Sequence, residues 1–479
     1  MKELLTKWKA LPAAVKASAA FFFASIVSSG ISYLVTPIYT NILCETVYGQ
    51  TQTFLVWVQI FGTIAMFCLS MGVFNNGMVD YPEQRDEYSL SMLVLSNIIT
   101  GVFSLLVLAL YPLIAPLIDI DFPLLVLMCV LFFFQPAYNF WTAKQRYELK
   151  YKATVLFTVL AAFLSPAVAV VCVLLSPEEG RLYARLFGAE LALISLYIGF
   201  YLYIAIKGRF RVNTKYWRAA LLFNLPLIPH YLSTYLLGSS NKLLISHIID
   251  DAATAHYSVA YAVATVTTIV WAAANATLIP YTYENCKTRN FGAIARVTSV
   301  LLSAFAAVCV LVSLFAPEVV GIMTLGKAGY MDAIYVIPPV IGGVFFQVQY
   351  YIYANVVYYY KKSRYVMYAS VSAVLFNLAL GYYAISEWGY LAAGYVTLLS
   401  YLLQAVLDYF AMRRALPGER VYNMRYIGLL SLVVICVSLV SNLLYPLPLV
   451  RYGLILVLCG LGIVFRRPLV RVFREMKKS

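Results

Sequence analysis

Charge is scarce in this sequence. Only 12% of its 479 residues are Asp, Glu, Lys or Arg, about half the usual share of a soluble domain. Hydrophobic residues make up 62%, against roughly 45–50% in soluble domains. No soluble core hides that much apolar surface, which excludes a cytosolic enzyme and a secreted disulfide scaffold. Long hydrophilic stretches are missing too, so no soluble domain is expected. Histidine is rare, and His230, His247 and His256 are scattered. There is no H-E-x-x-H, no paired-Cys metal motif and no G-x-x-x-x-G-K-[ST]. Gly326-Lys327 lacks both the preceding glycine and the following hydroxyl residue. The expectation is therefore no metal, no cofactor and no P-loop ATP site. The eight cysteines lie mostly inside apolar runs without ligand spacing, and read as small apolar residues.

What is present is a chain of membrane-length apolar runs. A helix needs about 20 apolar residues to cross the hydrocarbon core. Fourteen runs approach that length, at about 15–40, 53–76, 89–115, 122–142, 153–175, 182–206, 219–240, 254–279, 292–316, 330–357, 365–385, 390–412, 426–445 and 450–465. The first, behind Lys2, Lys7, Lys9 and Lys16, is too long for a signal-peptide core and has no cleavage site after it. The net charge of +14 would suggest nucleic acid in a soluble protein. With loops this short it points to membrane orientation instead, and no nucleic-acid partner is expected. With the N-terminus in the cytoplasm, all of the 35 Lys and Arg fall on the cytoplasmic side except Arg181, Arg185, Lys242, Lys327 and Arg451. Removing one span from the middle would scramble that alternation. The sequence thus predicts an all-α, polytopic protein of the cell membrane with both termini cytoplasmic.

A weak internal repeat accompanies the spans. After the fourth span the chain reads Lys144-Gln-Arg-Tyr-Glu-Leu-Lys-Tyr-Lys-Ala, and after the tenth Lys361-Lys-Ser-Arg-Tyr-Val-Met-Tyr-Ala. Before the sixth and twelfth spans stand Ser176-Pro-Glu-Glu-Gly-Arg-Leu-Tyr-Ala and Ile385-Ser-Glu-Trp-Gly-Tyr-Leu-Ala-Ala. Two pseudo-symmetric six-helix lobes would place these segments equivalently: residues 1–217, then residues 218–417. Residues 418–479 would add two helices and a basic tail. Such parallel repeats are a transporter device, one half rocking against the other.

Several stretches, in order, resemble the polysaccharide-biosynthesis flippase family of the multidrug/oligosaccharidyl-lipid/polysaccharide exporter superfamily. They are Thr36-Pro-Ile-Tyr-Thr-Asn-Ile-Leu-Cys-Glu-Thr-Val-Tyr-Gly, Leu225-Pro-Leu-Ile-Pro-His-Tyr-Leu-Ser, Asn241-Lys-Leu-Leu-Ile, Tyr257-Ser-Val-Ala-Tyr, Leu278-Ile-Pro-Tyr-Thr-Tyr-Glu, Ala316-Pro-Glu-Val-Val, Tyr335-Val-Ile-Pro-Pro and Trp388-Gly-Tyr-Leu-Ala-Ala. The resemblance implies a fourteen-helix, two-lobed flippase. Its cargo would be an oligosaccharide on an undecaprenyl-pyrophosphate carrier, moved from the cytoplasmic to the outer leaflet. Two positions depart from the family pattern: Asn241-Lys242 replaces an Asp-Arg pair, and Asn41 replaces an Arg before its leucine.

A pyrophosphate cannot enter hydrocarbon without compensating charge, and sugars need hydrogen-bond partners and stacking faces. Lys242, an outer-side cation that breaks the orientation bias, is a candidate cargo contact. His230 sits about eleven residues, roughly 16 Å, into its span. Pro226 and Pro229 flank it and free backbone carbonyls. It either bonds one of those carbonyls or faces a cavity. Tyr235 is one of 40 tyrosines, each with an apolar body and a polar tip, and lies deep enough to line a cavity or to pack. Arg185 and Asn41 are further candidates near the outer end, and Arg146 could gather anionic headgroups at the cytoplasmic mouth. Glu190, about 12 Å down its span, could bind H+ or Na+, pair with Arg185, or act as helix–helix glue. Asp408, one turn before Arg413 and Arg414, reads as a solvated interfacial pair.

Three functions compete. The lead is a lipid-linked oligosaccharide flippase, working as a monomer among membrane lipids and not an enzyme. The alternative is a cation-coupled multidrug exporter of the same superfamily. A membrane-bound glycan polymerase or ligase would carry a large outer loop, and the longest here is about fifteen residues. The topology is directly testable. Reporter fusions at Ser479 and within the Pro177–Gly180 loop are expected on opposite sides of the membrane, and the same side for both would overturn the orientation.

Overall fold

A peptide group left unpaired in hydrocarbon costs several kcal/mol, so a spanning segment must satisfy its own backbone. The computed structural model describes residues 13–464 and 466–478, and among these it contains helices and turns but no strand. Twelve of the described helices are long and apolar enough to cross a membrane, and Pro448–Gly462 is a shorter apolar helix. The protein is an all-α, multi-pass membrane protein.

Two compact units divide the chain, residues 1–232 and 233–479. Among the described residues of the first, nine α-helices run in order: α1 (Ala13–Ile42), α2 (Glu45–Ala65), α3 (Val73–Asp80), α4 (Arg85–Ala109), α5 (Tyr111–Ile118), α6 (Phe122–Tyr147), α7 (Tyr151–Leu175), α8 (Arg181–Lys207) and α9 (Lys215–Asn224). The apolar run at 53–76 does not form a single helix. Its helix starts earlier, at Glu45, whose charge suits an N-terminal turn, and the chain breaks between α2 and α3. Phe67 and Cys68 adopt left-handed φ angles of 54° and 49° there. The Asn224 side chain donates to the Phe67 carbonyl at 3.1 Å, so a distant amide satisfies backbone that the break exposes. Nothing in the local apolar pattern announces it.

Helices α7 and α8 approach closely at Gly188, where an added Cβ would stand 3.1 Å from the Ala169 Cα. Aromatic rings fill the rest of this unit: Phe74 lies 4.6 Å from Phe140 and Trp141 lies 4.4 Å from Phe200 between ring centroids. Lys144 is buried, and its ammonium pairs with Asp86 and, at 3.5 Å, with Glu148.

Helix α10 (Ile228–Ile248) carries the division between the units. The second unit continues with α11 (Asp251–Thr265), α12 (Thr267–Lys287), α13 (Phe291–Leu314), α14 (Ala316–Met323), α15 (Ala328–Met331), α16 (Ile337–Tyr359), α17 (Ser363–Trp388), α18 (Ala392–Ala415), α19 (Met424–Leu444), α20 (Pro448–Val464) and α21 (Arg466–Lys478). Helix α16 is its axis, buried along most of its length. It meets α18 at Gly343, where a Cβ would lie 3.2 Å from the Thr397 carbonyl oxygen.

One of the two similar sequence pairs shares a backbone geometry; at the other, Gly180 takes φ −90° and Gly389 φ +74°. Helix α6 ends at Tyr147, Leu149 turns left-handed at φ 56°, and α7 starts at Tyr151. Helix α16 ends at Tyr359, Lys361 turns left-handed at φ 56°, and α17 starts at Ser363. The Lys150 N–H reaches the Gln145 carbonyl at 3.0 Å, and the Lys362 N–H reaches Val357 at 3.1 Å. Both are the six-to-one bond of a Schellman cap. A second matching pair lies where α4 meets α5 and α13 meets α14. Leu110 and Phe315 take nearly the same angles there, and a proline follows two residues on.

The last helices are pinned to α13 by polar contacts. Ser313 and Ser441 hydroxyls lie 2.8 Å apart, and the Tyr445 hydroxyl donates to the Ser313 carbonyl at 3.1 Å. Arg451, only 3% exposed, donates to the Leu314 carbonyl and forks onto Glu318 at 2.5 and 2.6 Å. Burial works against the Glu318 charge, but hydrogen bonds from Arg451 and Tyr452 hold its carboxyl below the ordinary value. Removing one partner of such a pair strands a buried guanidinium. Glu318→Gln is therefore expected to cost about 3 kcal/mol, read as a lower unfolding midpoint of the detergent-solubilised protein. An unchanged midpoint would mean that the pair does not hold α20.

Candidate functional site

Polar side chains gather inside the helices of each unit. In the first unit the centre is α8. Gly188 lets α8 sit against α7, and two residues later Glu190 is buried. Arg185 lies near enough for the two charges to interact. Its guanidinium nevertheless stacks on the Tyr39 ring of α1, 4.1 Å from the centroid, instead of closing an ion pair with Glu190. The Tyr39 hydroxyl donates to the Pro166 carbonyl at 3.4 Å. Arg181, one turn earlier, donates to the Ile42 carbonyl at 3.0 Å. Asn41 is exposed at the same end of α1. Arg146 is exposed near the end of α6, 5.8 Å from the Phe21 ring, and takes no part in that cluster.

Helix α10 shows the break that its prolines predict: a 3₁₀ turn over Leu225–Leu227 precedes it. His230 is the third residue of α10, half-buried, with Tyr231 beside it at 5.8 Å between ring centroids. Tyr235 is half-buried a turn further on. Near the other end, the Lys242 ammonium lies 5.8 Å from the centroid of the Tyr261 ring of α11, a cation–π contact.

Around Lys242 lies a network that apolar patterning did not reveal. The Asn241 amide donates to the Ala393 carbonyl at 3.2 Å and the Thr397 hydroxyl at 3.0 Å. The Tyr257 hydroxyl is 3.3 Å from Thr397. Ser240 donates to Asn377 at 2.8 Å, and Asn377 donates to Ser400 at 3.0 Å. Gln347 donates to the Tyr401 hydroxyl at 3.1 Å. The available signal was the amides set inside apolar helices, at Asn241, Gln347 and Asn377. Each is costly in lipid unless it has a partner. Among the described residues no group of three or more His, Cys, Asp or Glu could hold a metal ion.

The sequence profile of the polysaccharide biosynthesis protein family matches residues 14–285. The chain belongs to that family. Over 193 residues it is 26% identical to a protein of the Lsg locus of Haemophilus influenzae, covering 39% of this chain and 48% of that one. The match thus spans about half the length of that curated relative. Among solved structures, the lipid II flippase MurJ in an inward closed conformation aligns over 95% of this chain and 100% of its own, with a TM-score of 0.69 and 14% identity. An inward-facing multidrug-resistance MATE transporter of the MOP superfamily aligns over 85% of this chain and 95% of its own, with a TM-score of 0.59 and 15% identity. Likeness at such identity establishes the fold, which is that of MurJ- and MATE-type transporters.

One acid in this family member departs from its expected setting. Asp408 is not a solvated partner of Arg413 and Arg414. It is fully buried, and neither carboxyl oxygen has a hydrogen-bond partner. Arg413 and Arg414 are exposed, and Arg414 lies against the Tyr365 ring. The i,i+5 and i,i+6 spacing explains the difference. Asp408 points into the packed side of α18 while the arginines point out. A buried polar group without partners costs roughly 1–3 kcal/mol. Asp408→Leu is expected to raise the unfolding midpoint of the solubilised protein by a corresponding amount, and a lower midpoint would reveal a stabilising partner.

Proposed function

We propose that this protein moves an oligosaccharide linked to undecaprenyl pyrophosphate from the cytoplasmic to the outer leaflet by alternating access. The observation that carries the reading is the family match over residues 14–285. The MurJ-like fold agrees with it. In this reading residues 1–217 and 218–417 form two six-helix lobes, and residues 418–479 add two helices and a basic tail. Both termini face the cytoplasm, and one copy of the chain suffices.

The roles follow from charge. A pyrophosphate leaving water needs fixed cations where it passes. Lys242 supplies one as a point charge on a flexible stem, positioned by the Tyr261 ring. Arg185, stacked on Tyr39, keeps donors in reach of a second anionic group. His230, Tyr235 and Asn41 offer hydrogen bonds to the sugars. Arg146 draws the anionic headgroup to the cytoplasmic mouth. Glu190, buried beside but not bonded to Arg185, takes up H+ or Na+ and so couples cargo movement to an ion gradient.

The MATE likeness favours one second reading, a cation-coupled multidrug exporter. Cells lacking the protein separate the two. Under the flippase reading they accumulate lipid-linked oligosaccharide on the cytoplasmic leaflet and keep normal drug resistance. Drug sensitivity without accumulation would replace the proposal by the exporter. In complementation, Lys242→Gln is expected to cut glycan export roughly tenfold or more, the size of one charged hydrogen bond, while Lys242→Arg retains part of it. Full export by Lys242→Gln at normal membrane level would remove Lys242 from the mechanism.

A further inference from the structure

Where α18 gives way to α19, the second unit holds a cavity of about 620 Å³ lined by Arg413, Arg420 and Arg425, with Glu419, Tyr409 and Tyr422 among its other walls. We propose that this cavity is a binding site for a phosphate-bearing anion, on the side of the membrane that the proposed topology makes cytoplasmic.

Three observations carry the assignment. The first is convergence. The orientation bias accounts for arginines in a loop, but not for three around one hollow, where like charges repel. Among the described residues none of the three closes an ion pair. The second is the fate of the one acid. Glu419 is engaged at 2.7 Å by Arg289, outside the lining, so it does not neutralise the three guanidinium groups. The third is that the loop is prebuilt. Val421 is buried, and the Tyr422 hydroxyl donates to the Ile352 carbonyl at 3.0 Å. The Tyr422 ring also lies 5.7 Å from that of Tyr353. Gly418 makes its turn at φ +83°, a conformation that L side chains rarely adopt. Asn423 caps α19 by accepting from the Tyr426 N–H at 3.2 Å. A ligand would find the backbone that carries the three arginines already ordered, with only their exposed side chains left to settle.

Guanidinium forks match paired oxygens, and phosphate or diphosphate offers several such pairs with two or more negative charges. The same chemistry could come from the diphosphate headgroup of a membrane lipid or from a soluble phosphate compound. Binding at this cavity does not depend on transport, so the site can stand or fall separately from the flippase reading.

The test uses the full chain in detergent and in lipid nanodiscs at low salt. Inorganic pyrophosphate is titrated calorimetrically in detergent. Undecaprenyl diphosphate retained from phosphatidylcholine nanodiscs is counted by native mass spectrometry. The variants are the Arg413→Gln/Arg420→Gln/Arg425→Gln triple and the matching triple to Lys. Saturable pyrophosphate binding that weakens roughly tenfold in the Gln triple, and partly recovers in the Lys triple, supports the site with a soluble source. Loss of retained undecaprenyl diphosphate in the Gln triple alone, without pyrophosphate binding, supports the site with a lipid source. Glu419→Gln is expected to tighten whichever is bound. Equal binding of both probes by wild type and a Gln triple of unchanged unfolding midpoint, or no binding of either by the wild type, overturns the proposal. If the Gln triple does not fold, the exposed single variant Arg420→Gln takes its place, and unchanged binding by that variant likewise overturns the proposal.

Discussion

Inside a hydrocarbon slab, apolar burial no longer draws helices together, because a neighbouring lipid tail is as apolar as a leucine. Association has to come from close approach and from hydrogen bonds, and the structure depends on both. Gly188 brings α7 and α8 within van der Waals reach of one another's backbone, and Gly343 does the same for α16 and α18. Backbones that close gain dispersion contacts which lipid cannot supply equally well. Side chains larger than glycine at these points would hold the helices apart along their whole shared length.

Polar residues follow from the same condition. In lipid an amide or hydroxyl has only protein to bond to, so each one inside a span either joins helices or awaits a ligand. Asn241, Thr397, Tyr257, Ser240, Asn377 and Ser400 take the first course and bind α10, α11, α17 and α18 into one body. Lys242 sits next to this rigid group. The Tyr261 ring stands beside its ammonium, and the amide at 241 serves the network while the lysine at 242 faces that ring. Glu190 and Arg185 contrast with it, two charges held near each other without joining.

Much of the fold was legible because membrane spanning is a matter of composition and length. Runs such as 292–316 and 330–357 need no tertiary information to be read as helices. The run at 53–76 failed for a physical reason: its break at Phe67 and Cys68 is stabilised by Asn224, more than 150 residues away, and local hydropathy carries no trace of that. A candidate site was legible only as a charge that interrupts an apolar helix, as at Glu190 and Lys242. It was not legible where side-chain direction decides. Asp408 and Arg413 are close in sequence, yet one is buried and the other exposed: their spacing puts them on different faces of α18, and the packing of α18 against α16 and α17 decides which face is buried. The basic cavity was hidden for a related reason, since its three arginines come from a helix end, a loop and the next helix.

The turns at Leu149 and Lys361 have a consequence for how a helix end in such a chain can be recognised. Both residues adopt a left-handed backbone usually left to glycine, yet neither is glycine, and they share no chemistry. The conformation is held by the hydrogen bond that spans the turn, so the side chain at that position was free to drift. The same bond closes left-handed turns after Arg289 and at Phe210, so helix ends far apart in the chain share a turn while sharing no single side chain. Such a stop is better recognised by the handedness of a few backbone angles than by a pattern of residues.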